Sequence, residues 1–497
     1  MSSEISGKIA SNSSSDTRTS AHNPFAGGAG ATRKLACHAA TLRYDDLPRE
    51  LVELTKKCLL DTLGVCIGAS TLAEEGKIVT EYVRDLGGKP ESTILGFGGK
   101  APAPWAAFVN GSFGHMLDYD GVNSAGGGHV SIATVPVAFA VAEKLGGVSG
   151  RDLITAIACG TDIQTRIYQS IDMPDWTMSE GWFPTQLLGY ISGAATAGRL
   201  MGLNADQMEN AFGIGFNQVG GSRQMAVGAA THLRSMQAGF SGQGATLAAG
   251  LAQRGIIGSK EVLEGRYGLY KNYVGIDRLN WDALVGDLGT RFPLLKVHGF
   301  KVWPACGYTR VTNAATQQLR TEFNLRPEDI ETITVIGGTG GTRLLSEPLD
   351  LKRRPKTSID GKYSIPFTTA VMMVKGNVTL HDFTDEGLRD PAVLAMADKV
   401  SYRPLNDGEK TAEVDHSLSR PIVEVRTTNG KVLVRQPKSV PGDPHNPVSQ
   451  ELLEAKFRDC VSFSAKPIAA ANIDRAIEMI RNLENVADAT DVIRLLT

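Results

Sequence analysis

The sequence predicts a mainly α fold, a large all-helical domain accompanied by a smaller α+β region, and three observations predict it. Apolar residues recur at helix spacing through most of the first 275 or so positions. Runs rich in Ile, Val and Thr are confined to the stretch beyond about residue 290, where helical patterns alternate with them. Helix spacing then resumes from Pro447 to Thr497. The divisions read from these shifts are residues 1–33 as a flexible tail, 34–292 and 445–497 as helical, and 293–444 as α/β.

Residues 1–33 are rich in Ser, Thr, Gly and Ala, and burying so few large apolar groups does not repay the entropy of ordering. Glu4, Asp16 and the scarcity of arginine weigh against a cleaved organellar peptide. The first long helix follows Asp46-Leu47-Pro48 and carries Leu51, Leu54, Cys58, Leu59, Leu63 and Cys66 at helix spacing. Ser92 to Gly96 is read as extended, with a helix from about Pro102. Ser149-Gly150-Arg151-Asp152 and Asn204-Ala205-Asp206-Gln207 each offer a side-chain acceptor to the free N–H groups of a following helix. Ser259 is read as starting another, through Val262 and Leu263.

Ile330 to Ile336, Ile422 to Arg426 and Val432 to Arg435 read as strands, the last two joined by a turn containing Asn429-Gly430, a strong hairpin signal. Between them, Thr309 to Phe323 and Ile365 to Val374 are helical. Pro441-Gly442-Asp443-Pro444 then separates a last helical segment with Ile473, Ile477, Ile480 and Leu483.

Composition excludes several classes of function. Lys plus Arg number 51 against 53 for Asp plus Glu, so no global field attracts nucleic acid or an anionic membrane. No apolar run reaches the ~18 residues of a spanning helix, and the N-terminus has no signal-peptide core, so a cytoplasmic protein is expected. The 6 cysteines show no paired CxxC spacing, which points to reduced thiols rather than zinc or disulfides.

Chemistry concentrates in Val109 to Ser131, VNGSFGHMLDYDGVNSAGGGHVS. His115 and Asp118, three apart at a helix end, share a face, and Asp120 follows where Gly121 lets the chain turn. Gly126, Gly127 and Gly128 deliver His129 to an apolar helix capped by Ser131, whose free N–H groups form an anion seat. Imidazole and carboxylate facing an anion suit proton abstraction beside a carboxylate. The bland alternative makes the same residues caps and turn formers.

The segment resembles the signature of the MmgE/PrpD family in Asn110-Gly111, His115, Leu117-Asp118 and His129. The resemblance implies a helical domain built from the first part of the chain plus its C-terminus, with residues 293–444 inserted as a lid, and a homodimer. It implies Asp118 and His129 as an acid/base pair outside the core, with His115 as a second proton carrier. A second segment, Thr231 to Gln237, places Arg234 where many relatives have lysine. Arginine is a poor proton donor but forks onto carboxylates, so Arg234 is read as a substrate clamp. In Gly181-Trp182-Phe183-Pro184-Thr185, Phe183 stands where relatives carry a histidine, and it moves no proton. Phe300 to Arg310 resembles a lid-entry motif, so Lys301 is read as a second anchor, Tyr308 as a lid donor bordering the pocket, and Cys306 as pocket wall rather than nucleophile, since nothing adjacent in sequence depresses its pKa. Gly189 to Gly198, rich in small residues, is read as support for the dimer.

Gly337-Gly338-Thr339-Gly340-Gly341 and Gly213-Ile214-Gly215 fit neither the dinucleotide fingerprint nor the P-loop. His22, His38, His298, His381, His416 and His445 lack ligand spacing. The expectation is therefore an enzyme with no cofactor and no metal, acting on a small polycarboxylate as a dehydratase or decarboxylase. The alternatives are an epimerase of the iminodisuccinate type and a non-catalytic carboxylate-binding dimer.

Overall fold

The structure, a computed structural model, describes residues 28–123, 128–172, 180–226, 231–275, 279–406 and 420–497. Helices dominate it. In chain order they include α1 (Ala31–Thr41), α2 (Arg49–Leu72), α3 (Glu74–Leu86), α4 (Ala103–Met116), α5 (Val130–Leu145), α6 (Gly150–Gln169), α7 (Pro184–Leu200), α8 (Ala205–Phe216) and α9 (Leu233–Gln253). Two of the expected caps form: Ser149 accepts from the Asp152 N–H, and Asn204 and Gln207 exchange bonds across the first turn of α8. Each satisfies donors that would otherwise be orphaned, an effect of about 1 kcal/mol per cap. No helix among the described residues is long and apolar enough to cross a membrane.

The most buried crossings rely on glycine. Gly111 of α4 lies against the backbone of α9, where an added Cβ would sit 2.8 Å from the Ala238 carbonyl oxygen. In α7 a Cβ on Gly193 would meet Ala245 at 2.7 Å. The small-residue stripe from Gly189 to Gly198 is thus consumed inside the chain, packed on α5, α8 and α9, and offers nothing to a second copy. That removes the sequence argument for a dimer at this helix.

One hydrophobic core joins α1 through α9 to the end of the chain. There α12 (Gln450–Ser462) and α13 (Ala470–Arg481) follow the remaining helices. Gly64 and Gly68 of α2 let α12 approach closely, with a Cβ on Gly64 only 2.9 Å from the Phe457 ring. A second core gathers residues from Trp303 to Val440. Its helices include α10 (Thr309–Glu322) and α11 (Ile365–Lys375). They pack on a four-stranded sheet of β1 (Ile330–Ile336), β2 (Val400–Arg403), β3 (Ile422–Thr427) and β4 (Val432–Arg435), ordered β2-β1-β3-β4. β1 and β2 run parallel, and the other pairs are antiparallel. The Asn429-Gly430 turn closes the β3–β4 hairpin with Gly430 at φ 84°, a left-handed conformation glycine takes without strain.

Three local readings change. No helix starts at Ser259: glycines at 255, 258, 265 and 268 break the pattern, and the chain turns until Leu269–Tyr273. Ser131 does not cap α5, which begins one residue earlier with His129 in the cap position. The tail read as 1–33 lies outside the described residues through residue 27, and α1 already begins at Ala31 with Thr32 bonded to the Glu264 carboxylate. Gly126, Gly127, His22 and His416 also lie outside the described residues.

Candidate active site

The turn from Leu117 to Gly121 leaves α4 and is braced from three directions. Asp118 adopts φ 49°, a left-handed conformation, so it departs from the helical face that spacing predicts for it beside His115. The carboxylate that reaches His115 is Asp120. His115 Nδ1 lies 2.9 Å from Asp120 Oδ1, and His129 Nδ1 lies 2.6 Å from Asp120 Oδ2 while also donating to the Gly121 carbonyl oxygen at 2.9 Å. The two imidazole rings stand 4.4 Å apart, centroid to centroid.

This arrangement fixes tautomers. A carboxylate and a carbonyl only accept, so both Nδ1 atoms carry the proton and both Nε2 atoms present a lone pair. His115 Nε2 is buried with no hydrogen-bond partner among the described residues. Burial pushes the His115 imidazole down to about 4, keeping it neutral. Burial raises Asp120, but His129 and His115 outweigh it and hold the carboxyl well below its usual range.

Asp118 makes a separate unit. The Lys301 ammonium donates to its carboxylate Oδ1 and, at 2.8 Å, to its carbonyl oxygen. Burial raises the Asp118 carboxyl, yet Lys301, His115 and Arg234 together pull it down, so it is ionised. Its Oδ2 is buried without a hydrogen-bond partner among the described residues. The carboxylate that touches His129 is Asp120, whereas Asp118 touches Lys301. Asp118 is also buried rather than outside the core.

Below the turn, Asp61 of α2 accepts from the Gly121 N–H at 3.0 Å and pairs with Lys456 of α12 at 2.6 Å. Lys456 also donates to the carbonyl oxygens of Tyr119 and Lys301, at 2.6 and 2.9 Å. The N-terminal and C-terminal helices thus hold one active-site turn between them. Asn110 is structural: it accepts from the Leu95 N–H and donates to the Thr93 carbonyl oxygen, tying α4 to the extended segment at Ser92–Thr93.

His129 is placed by glycine. Gly128 has φ 76°, and a Cβ there would strike Thr185 Oγ1 at 2.7 Å, the same oxygen that accepts from the His129 N–H at 2.9 Å. That bond engages the N–H of the cap residue of α5. Phe183 is the cap residue of α7. The Arg234 guanidinium sits 4.7 Å from the Phe183 ring centroid and 5.2 Å from that of Tyr363, and no carboxylate among the described residues is within ion-pair distance of it.

Two family profiles match this chain, the MmgE/PrpD N-terminal domain over residues 33–282 and the MmgE/PrpD C-terminal domain over residues 303–484. The chain belongs to the MmgE/PrpD family. Similar curated proteins include the cis-aconitate decarboxylases of Homo sapiens, 25% identical over 94% of both chains, and of Mus musculus, 24% identical over 92% of this chain and 91% of that one. The cis-aconitate decarboxylase of Aspergillus terreus is 25% identical over 94% of this chain and 96% of its own.

The signature residues of this MmgE/PrpD chain divide by what they touch. Asp118, His115, His129, Phe183 and Arg234 gather at one place, together with Lys301. Lys301 spends its charge on Asp118, which argues against its reading as a free carboxylate anchor. Cys306 is buried, and burial pushes its thiol up, so it forms wall. Tyr308 lies with its ring over Gly341 at the start of the short helix Gly340–Ser346, and the glycine-rich run is the seat of that ring.

Sequence reasoning missed Asp120 as the hub, Lys362, Tyr363 and Arg223. Lys362 is buried, donates to the Met116 carbonyl oxygen at 3.3 Å, and is pushed down to about 8 by burial against the pull of Asp118. A charged residue inside the apolar stretch from Cys58 to Cys66 is the signal that finds Asp61.

His115, Asp120 and His129 offer three ligand atoms within 4.8 Å of one another, a donor set that suits several divalent metals. The Nδ1 atoms already face Asp120 and the Gly121 carbonyl oxygen, so an ion binding through them must displace the Nδ1 protons, whereas one binding through Nε2 need not.

Proposed function

We propose that this chain is a lyase that removes a proton beside a carboxylate of a small di- or tricarboxylic acid, using its own side chains as proton carriers. The observation that carries the reading is Asp120 holding two imidazoles by their Nδ1 atoms. His129, the less buried of the two, takes or returns the substrate proton through Nε2, and Asp120 stabilises the imidazolium that forms. Asp118, kept ionised by Lys301 with one oxygen free, is its acid/base partner, and His115 relays or orients. Arg234 anchors a substrate carboxylate.

Decarboxylation stands ahead of dehydration because the curated relatives are cis-aconitate decarboxylases. Phe183 favours the epimerase alternative in one respect, since an apolar ring offers no acid to a leaving group. A homodimer and a closing movement of the second core over the site belong to the same reading, on family grounds.

Incubation with a panel of di- and tricarboxylates in deuterated water, followed by NMR, tests it. Exchange with gas release supports a decarboxylase, water loss a dehydratase, and exchange with the carbon skeleton intact an epimerase. Absence of exchange with every acid that binds would overturn the lyase reading in favour of a non-catalytic carboxylate-binding protein.

A further inference from the structure

We infer that Arg223 and Arg234 together form a two-pronged anion clamp over Phe183, and that the substrate presents to it a dianionic end, two carboxylates on neighbouring carbons. The inference deepens the lyase reading and rests on it for the location of the reacting carbon. Nothing in the family signature of this sequence includes Arg223.

Both guanidiniums lie over one ring, Arg223 at 4.9 Å and Arg234 at 4.7 Å from the Phe183 centroid. Phe183 itself is buried. A cation over an aromatic face gains about 0.5–1 kcal/mol, which holds the group without neutralising it. Neither arginine has a carboxylate within ion-pair distance among the described residues. The contrast with their surroundings is sharp, since Asp118 is matched by Lys301 and Asp120 by two imidazoles. Burial lowers the proton affinity of Arg223 and Arg234 lowers it further, whereas Arg234, also opposed by burial, is raised by Tyr363 and Asp118. An arrangement that brings like charges together and leaves them unmatched is relieved when an anion of matching charge arrives.

The position of Arg223 is built. Its N–H donates to the Gly181 carbonyl oxygen at 2.7 Å, and the Phe183 N–H donates to the Gly221 carbonyl oxygen at 2.8 Å. Trp182 and Ser222 complete this antiparallel bridge. The backbone pairing therefore sets arginine and ring in register. Two residues past Phe183, Thr185 holds the His129 N–H, so the clamp is continuous with the proton-carrying imidazole. Guanidinium forks match carboxylates in pairs of parallel bonds, and two forks match two carboxylates.

Titration calorimetry with unreactive acids tests this without turnover. The probes are tricarballylate, which carries carboxylates on neighbouring carbons, and butyrate, which carries one. The wild-type protein is expected to bind tricarballylate at least tenfold more tightly than butyrate. Arg223→Gln is expected to cut tricarballylate affinity by about tenfold or more, the size of one lost charge-assisted hydrogen bond, and to leave butyrate within about twofold. Arg223→Lys restores part of the loss, and neither variant shifts the melting temperature by more than a few degrees. Equal loss for both acids, or a fall in melting temperature with tricarballylate affinity unchanged, would overturn the clamp. Selective loss of tricarballylate binding in a protein that exchanges no proton would keep the clamp and remove the lyase reading.

Discussion

Around Asp120 each carboxylate has a cationic or imidazole counterpart, and around Phe183 two guanidiniums have no carboxylate at ion-pair distance among the described residues. The first region is buried and closed: one carboxylate binds two imidazoles, another binds Lys301, and Asp61 with Lys456 ties the turn to helices from both ends of the chain. The second holds two half-buried arginines over one ring, with no carboxylate at ion-pair distance among the described residues. The difference separates two jobs. A group that moves protons must be held in one tautomer, which takes a fixed acceptor at its Nδ1. A group that recruits an anion must keep its charge available.

The largest expected effect is in the closed region. Asp120→Asn replaces two acceptors by one acceptor and one donor, so one histidine keeps its Nδ1 proton and the other must accept there and protonate Nε2 instead. Turnover of the substrate found by the NMR panel should fall by about a thousandfold or more, near the top of the range for general acid–base groups. Near-native kcat in a folded Asp120→Asn protein would break the comparison at its root.

His129→Gln and Asp118→Asn come next, each with a loss of at least about a hundredfold in kcat. Their stabilities should diverge. His129 is half-buried, and its melting temperature should change little. Asp118→Asn leaves the Lys301 ammonium buried without its partner, a change that costs about 3–5 kcal/mol in other buried pairs. Denaturant titration of the two variants measures the contrast, and equal stabilities would show that Lys301 finds another partner.

Much of this was legible in the sequence. The helices of the first core, the strands at 330–336 and 432–435 and the stretch that holds the catalytic candidates all follow from periodicity, caps and the family resemblance. The hub was not, because spacing along a helix says which residues share a face only while the helix lasts. α4 stops at Met116, Asp118 turns left-handed, and the carboxylate His115 touches lies five positions further along the chain. Arg223, Lys362 and Lys456 arrive from segments far along the chain, and only folding brings them to the turn.

A smaller effect is expected around Phe183. Phenylalanine at 183 supplies no proton, and arginine at 234 stays charged, so cis-aconitate and 2-methylcitrate should be poor substrates, with kcat/KM below roughly 10⁴ M⁻¹s⁻¹. In Phe183→His the new imidazole would lie under two guanidiniums at under 5 Å, which disfavours its protonated form. A neutral ring there can still donate a hydrogen bond to developing negative charge, and a gain of about tenfold on cis-aconitate is expected. A wild-type value above that limit, or a further loss in the variant, would show that the region around Phe183 does not set substrate choice.

The smallest effect separates the regions by pH alone. A histidine held near 4 in the folded protein and near 6.5 when unfolded binds its proton more readily in the unfolded state. Its contribution to stability is therefore complete above about pH 6.5 and is lost as the pH falls toward 4. His115 and His298 both lie in or beside the closed region, and burial pushes each down to about 4. Between pH 7.5 and 5.5 each should cost about 1 kcal/mol of unfolding free energy. Arginines do not titrate in that window, so Arg223→Gln should leave the acid sensitivity intact, whereas His115→Gln should remove one histidine's share. Urea titrations at the two pH values measure this, and an acid sensitivity unchanged in His115→Gln would mean that the imidazole beside Asp120 takes up its proton equally in the folded and unfolded states.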